Sequence, residues 1–156
     1  MTVISIQDVT HDNWRAALRL SVRPEQQRFV ADSTPIVAIA LAKAYVRPAG
    51  HRWIPYIIYA DTSMVGFIEL SYEPESPDQY WIYHFFIDRS YQGKGFGKQA
   101  LRAFVEVVKE RLPQCQVIRL AVHPENHHAQ YFYTSLGFRR TDQELEGEPV
   151  YALVVR

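Results

Sequence analysis

The stretch Phe85–Leu101, FFIDRSYQGKGFGKQAL, places glycines at three alternate positions, Gly93, Gly95 and Gly97, where an apolar run gives way to a helical pattern. A glycine inside a helix lowers its stability by roughly 1 kcal/mol relative to alanine, so three together at a helix start need a reason. Without side chains they let successive backbone N–H groups turn toward one point, and the helix N-terminus adds partial positive charge. Such a nest suits a phosphate or pyrophosphate, and Lys94 and Lys98 add charge at its rim. Two familiar nucleotide motifs do not fit. The dinucleotide fingerprint G-x-G-x-x-G needs its third glycine one residue later. The P-loop needs glycine where Gln92 stands and Ser or Thr where Gln99 stands.

On either side of the loop the chain alternates strand and helix signals. TVISIQDV alternates apolar and polar residues as a first strand does. HDNWRAALRLS predicts a helix capped by Asp12 or Asn13, with an apolar face from Trp14, Leu18 and Val22. PEQQRFVADS and TPIVAIALAKAYV predict two more helices, each entered near a proline. WIPYIIYA and MVGFIELSY, separated by DTS, predict a β-hairpin. After the acidic loop EPESPDQ, YWIYHFFI is apolar almost throughout, as a strand covered on both faces would be. From Phe96 to Leu112 the residues Leu101, Phe104, Val105, Val108 and Leu112 recur at helical spacing until Pro113. QVIRLAV predicts a strand. PENHHAQYFYTSLGF predicts a short helix with Ala129, Phe132, Tyr133 and Leu136 on one stripe and Gly137 as its cap. FRRTDQEL and PVYALVV predict a closing hairpin around EGE. This order predicts a mixed α/β domain on one central sheet.

The bulk properties narrow the function. The 156 residues suit one domain, 1–156, and 47% are hydrophobic. Formal charge balances at +0, which argues against nucleic-acid binding through a basic face. No apolar run reaches the roughly 18 residues of a membrane span, and MTVISIQDVTHDNW lacks the pattern of a signal peptide. The single cysteine, Cys115, allows no internal disulfide. The expectation is a cytoplasmic domain with no nucleic-acid or membrane partner.

What does fit the loop is Q-x-x-G-x-G, read from Gln92 through Gly93, Lys94, Gly95 and Phe96 to Gly97. Here the chain resembles the GNAT superfamily of acetyl-CoA-dependent N-acetyltransferases, whose pyrophosphate loop has this pattern between the fourth strand and the following helix. VHPENHHA resembles the stretch after the family's fifth strand, where an asparagine, here Asn126, lies near the cofactor. YFYTSLGF resembles the helix ending in Y-x-x-x-G-F, with Tyr133 at the tyrosine position. The resemblance implies a central mixed, mostly antiparallel sheet of about seven strands with helices on both faces, acetyl-CoA as co-substrate and no metal. It implies that the backbone of Phe85, Phe86 and Ile87 binds the pantetheine arm, and that residues 92–98 hold the pyrophosphate. It also implies that Tyr133 is the general acid that protonates the departing thiolate. An unperturbed phenol has a pKa near 10 and is protonated at neutral pH. Tyr131 points to another face of that helix.

Acyl transfer also requires a neutral amine. Glu69, Tyr83, His84 and Asp88 lie on or beside the central strands as candidates for a base, and Glu69, His84 and Asp88 as candidates for substrate contact. The acceptor is expected to be a small amine. SVRPEQQRFVADS resembles the first helical region of bacterial diamine and polyamine acetyltransferases, with Ser21, Gln26 or Gln27, Phe29, Val30 and Ser33 matching. Tyr83-His84 departs from the Asp-Arg of those relatives, leaving Glu25, Asp32, Glu69 and Glu73 as possible anchors for a distal ammonium. A non-catalytic acyl-CoA sensor, or an enzyme for protein N-termini or lysines, is the alternative. His123, His127 and His128 diverge too much for the convergent ligand set of a zinc site. Relatives are often dimers, so a homodimer is a possible assembly.

Overall fold

The computed structural model describes residues 1–156. Seven strands form one sheet in the order β1-β2-β3-β4-β5-β7-β6. They are β1 (Ile4–Asp8), β2 (Arg52–Ala60), β3 (Ser63–Tyr72), β4 (Tyr80–Ile87), β5 (Val117–Ala121), β6 (Arg139–Leu145) and β7 (Glu148–Val154). Five helices join them: α1 (Trp14–Ala17), α2 (Gln27–Val30), α3 (Ile36–Val46), α4 (Phe96–Arg111) and α5 (His127–Ser135). Only the β4–β5 pair is parallel. The sheet is therefore mixed and mostly antiparallel, with helices on both faces, as the family resemblance implies. No helix is long and apolar enough to cross a membrane.

The two faces carry separate cores. One packs Ile68, Leu70, Tyr80, Ile82 and Leu120 of the sheet against Ala100, Leu101, Phe104 and Val108 of α4, with Ala129, Phe132 and Tyr133 of α5 at its edge. The other packs Ile57, Phe67 and Phe86 against Ala17 of α1 and Ile36, Val37 and Ala40 of α3. The near-continuous apolar run of β4 follows from this, because alternate side chains serve opposite cores.

The first helical region differs from its sequence reading. α1 is a single turn, and α2 is another turn behind the 3₁₀ segment Pro24–Gln26. Trp14 stays partly exposed against the Arg15 guanidinium, and the buried residues are Ala17, Leu20 and Val22. The chain there is held by tertiary contacts rather than by helical propensity. Asp88 accepts from the Ser21 N–H at 2.8 Å, and the Arg89 N–H donates to the Ser21 carbonyl at 2.8 Å.

Two irregularities in the central strands position everything that follows. Phe67 pairs with Phe86 and Glu69 with Tyr83, so His84 and Phe85 together stand opposite Ile68. This is a β-bulge, and His84 takes a left-handed φ of 51° within it. Beside the bulge, Gly66 lies so close to β4 that a Cβ would sit 2.6 Å from the Phe86 carbonyl oxygen. An isolated glycine in a strand signals such an approach. Gly66→Ala is expected to cost about 2 kcal/mol by forcing the strands apart, a fall in Tm of roughly 4–8 °C by thermal denaturation. An unchanged Tm would show that β4 can yield.

Candidate functional site

The parallel β4–β5 ladder consists of two pairs, Tyr80 with Ile118 and Trp81 with Arg119. β4 continues to Ile87 and β5 to Ala121, but the two part after Trp81. The edge of β4 from Ile82 onward therefore has no ladder partner on β5, and a cleft opens through the sheet. Backbone N–H and C=O groups need partners when shielded from water, so this edge is suited to an extended ligand carrying amides. Phe85, Phe86 and Ile87 all lie on it.

The glycine loop caps the same strand. Gly93 and Gly95 have φ of 78° and 80°, which a residue with a Cβ rarely adopts. A Cβ at Gly93 would meet nothing within 4 Å, and at Gly95 only the Gln99 side chain at 4.0 Å. The space above the loop is open, and α4 begins at Phe96 with Gly95 as its N-cap. The N-terminus of α4, a helix 16 residues long, presents its first N–H groups there, a site chemically matched to phosphate oxygens. Lys94 and Lys98 are exposed at the rim. Gly97 differs from the other two: a Cβ there would meet Ile87 and Phe132 side chains at 3.6 Å, so its place is close packing rather than the cradle.

Gln92 is turned inward. Its amide nitrogen donates to the Ile87 carbonyl at 3.0 Å and to Gln26 at 2.9 Å, and the Gln26 amide nitrogen approaches the Gln92 oxygen at 3.3 Å. The side chain thereby locks the loop to the end of β4 and to the segment before α2. The Asp88 carboxylate is similarly engaged, by the Ser21 N–H and by the Ser90 N–H at 3.0 Å. Asn126 caps α5 by accepting from the Ala129 N–H at 3.2 Å.

Tyr133 faces the cleft side of α5. Its ring lies 6.5 Å from that of Phe85, 5.2 Å from Phe132 and 5.5 Å from Phe138. Burial pushes its phenol above the ordinary value, so it is a proton donor across the neutral range. Tyr131 is 77% exposed. Over the cleft's other side, α2 reaches the loop after β5. Arg28 pairs with Glu125 at 2.8 Å, and the Phe29 ring meets His123 edge-on at 5.2 Å. The His123 Nδ1 accepts from the Glu125 N–H, while His127 and His128 are exposed.

On the α3 face stands a cluster that periodicity did not reveal. Lys43 of α3 brings its Nζ to 3.0 Å from His84 Nε2. The same ammonium lies 5.1 Å from the Trp53 ring centroid and 4.9 Å from that of Tyr83. His84 Nδ1 is 2.9 Å from the Val30 carbonyl, which fixes the tautomer with the proton on Nδ1 and leaves Nε2 to accept from Lys43. Burial and the neighbouring Lys43 charge hold this imidazole down at about 4, so it is neutral at physiological pH. Glu69 is fully buried, and neither carboxylate oxygen has a hydrogen-bond partner. Burial pushes it up to about 8, against the attraction of Lys43.

A carboxyl with a folded pKa above its unfolded value binds more protons in the native state. Stability is then full below the unfolded value, near 4.5, and falls as pH rises toward 8. Glu69→Gln removes this titration, so its unfolding free energy is expected to be flatter than wild type between those limits. Denaturant melts across pH give the two slopes directly, and parallel curves would place the Glu69 titration elsewhere.

The chain matches the model of the Acetyltransferase (GNAT) family over residues 14–138, from α1 to the threshold of β6. It is 32% identical over 153 residues to the spermine/spermidine N(1)-acetyltransferase of Bacillus subtilis (strain 168), covering 94% of this chain and 95% of that protein. The fold is shared with an acetyltransferase from Thermus thermophilus, at a TM-score of 0.73, 19% identity and coverage of 99% and 100%. It is also shared with the PaiA N-acetyltransferase of Thermoplasma acidophilum in complex with coenzyme A, at a TM-score of 0.70, 16% identity and coverage of 97% and 99%. A splayed β4–β5 pair beneath a glycine cradle thus belongs to a fold and family already known for acyl transfer, and the chain is a member of the GNAT family. Its activity is that of an acetyl-CoA-dependent N-acetyltransferase.

Proposed function

We propose that residues 1–156 act as one unit that transfers the acetyl group of acetyl-CoA to a primary amine of a small molecule, a diamine or polyamine such as spermidine or spermine. Transfer occurs by direct attack in a ternary complex. The observation that carries the reading is the opening of the sheet after Trp81, because it joins the glycine cradle and Tyr133 on one face to an acceptor space on the other. The identity to the Bacillus subtilis enzyme supports the polyamine class, as do the exposed carboxylates Asp32 and Glu146 near the acceptor space, both within electrostatic reach of Lys43.

In this reading the acetyl thioester enters as an activated acyl donor, and the chain's residues do the rest. Gly93, Gly95 and the first N–H groups of α4 receive the pyrophosphate, with Lys94, Phe96, Gly97 and Lys98 completing the loop and Gln92 holding its shape. The free edge of Phe85, Phe86 and Ile87 pairs with the pantetheine amides. An N–H of that edge polarises the thioester carbonyl, a contribution of about 2.7–4 kcal/mol where such donors have been removed in other enzymes. The neutral amine nitrogen bonds to the carbonyl carbon, the carbon–sulfur bond breaks, and Tyr133 gives its phenolic proton to the leaving sulfur. The proton that the product amide nitrogen sheds passes to solvent, from which the Tyr133 phenol is restored. Asn126 orders the start of α5 and so the placement of Tyr133.

No side chain among the four base candidates is free to take the amine's proton. Asp88 is engaged by two N–H groups, His84 Nε2 by Lys43, Glu69 is enclosed, and the Tyr83 phenol is pushed above its ordinary value by burial. The acceptor therefore reacts from its own neutral fraction, its proton lost to solvent beforehand. The test follows thiol release from acetyl-CoA against polyamines, diamines, aminoglycosides, amino acids and peptides. Turnover confined to polyamines and diamines is the expected result. Tight CoA binding with no release for any amine would make the chain an acyl-CoA sensor, and release only with peptides would make it a protein-modifying enzyme.

A further inference from the structure

Lys43 lies in surroundings that would suit a ligand ammonium. Two aromatic faces, Trp53 from β2 and Tyr83 from β4, stand about the cation at 5.1 and 4.9 Å, and their own rings are 4.9 Å apart. A neutral imidazole nitrogen accepts from it at 3.0 Å. Glu69, paired with Tyr83 across the strands, holds a carboxyl with both oxygens buried and unpartnered, within electrostatic reach of Lys43 but with no ion pair closer than 4 Å between them. Aromatic faces and a shielded carboxylate recognise ammonium groups in general. A fully buried carboxyl without a hydrogen bond is costly, and such an exception calls for a function. The box adjoins the bulge at His84 and Phe85 and opens at half-buried Lys43, Tyr83 and His84.

We propose that Glu69, Trp53, Tyr83 and His84 form an ammonium subsite of the acceptor space, and that Lys43 occupies it as a built-in competitor that sets the selectivity for the acceptor. This rests on the acetyl-transfer reading above. With Lys43 in place, a second ammonium of a diamine is kept out of the box and left to the exposed Asp32 and Glu146. With the lysine charge removed, the box accepts that ammonium, whose own charge draws the proton off Glu69 to solvent and makes the carboxylate its counter-ion. Lys43 is thus a specificity determinant rather than a catalytic residue.

The test compares kcat/KM for putrescine and for butylamine, which differ by one ammonium at equal carbon length. Lys43→Met keeps an unbranched stem between the rings, and it is expected to raise the putrescine-to-butylamine ratio at least about tenfold over wild type. Lys43→Arg keeps the charge and is expected to hold the wild-type ratio, and Lys43→Met with Glu69→Gln to lose the gain. An unchanged ratio in Lys43→Met, or a gain that survives loss of Glu69, overturns the proposal. Calorimetric titration of putrescine into the CoA complexes of the same variants reads the box without turnover. Absence of thiol release in wild type therefore refutes the acetyl-transfer reading alone. Putrescine binding that is no tighter in Lys43→Met than in wild type refutes the box.

Discussion

Replacing Tyr133 by phenylalanine is expected to lower kcat about a hundredfold, the lower end of what a positioned acid contributes, while affinity for CoA stays within about twofold of wild type. The substitution removes one oxygen from a ring that is packed among Phe85, Phe132 and Phe138, so the aromatic cluster and α5 keep their shape. What is lost is a proton donor whose phenol burial holds above its ordinary value. The thiolate would then leave unprotonated into a site with little water. Steady-state thiol release, with CoA affinity measured separately, separates the two effects. A kcat equal to wild type would return Tyr133 to a purely packing role, and a parallel loss of CoA affinity would assign it to cofactor binding.

Gly95→Asp is expected to weaken CoA binding by about a hundredfold or more. Two like charges about 4 Å apart in a partly desolvated site repel by about 4 kcal/mol, and the pyrophosphate brings more than one. Steric exclusion is not the main cause, since a Cβ at Gly95 would find open space save for Gln99 at 4.0 Å. Backbone strain contributes roughly 1–2 kcal/mol, because φ is 80°. Against this, Asp is a favourable residue at the N-cap position that Gly95 holds, so α4 should persist and the protein should remain folded. Gly95→Asn separates the terms: it tolerates the left-handed backbone and carries no charge, and most of the CoA affinity should return. Equal losses for Asp and Asn would mean that shape, not charge, governs the cradle.

The loop and the helix behind it were legible because their signals are local. The spacing of Gly93, Gly95 and Gly97 and the stripe of Leu101, Phe104 and Val108 occupy a few turns of chain, and the structure has the glycine turn and α4 where that pattern places them. Gly66 passed unremarked inside the strand MVGFIELSY, because what requires a glycine there, the Phe86 carbonyl, belongs to another strand. The region from Trp14 to Val22 misled, because its apolar residues look periodic yet are buried by contacts with β4 and α3 rather than along one helix. Lys43 and Trp53 gave no sign of a shared site. Nothing in a helical lysine and a strand tryptophan ten positions apart says that they meet over Tyr83 and His84.

The sequence by itself determined the local pieces of this protein: a glycine turn, the helix that starts from it, a central apolar strand, and a tyrosine on a short helix. Each of these rests on interactions between near neighbours, which pattern and spacing record. The tertiary structure alone decided how these pieces meet. It parted β4 from β5 after Trp81, set β7 between β5 and β6, and raised His84 into a bulge where Lys43 meets it. Those features depend on how strands distant in sequence pair and which charges they enclose. The energy of such an arrangement belongs to the assembled sheet, not to any segment of it.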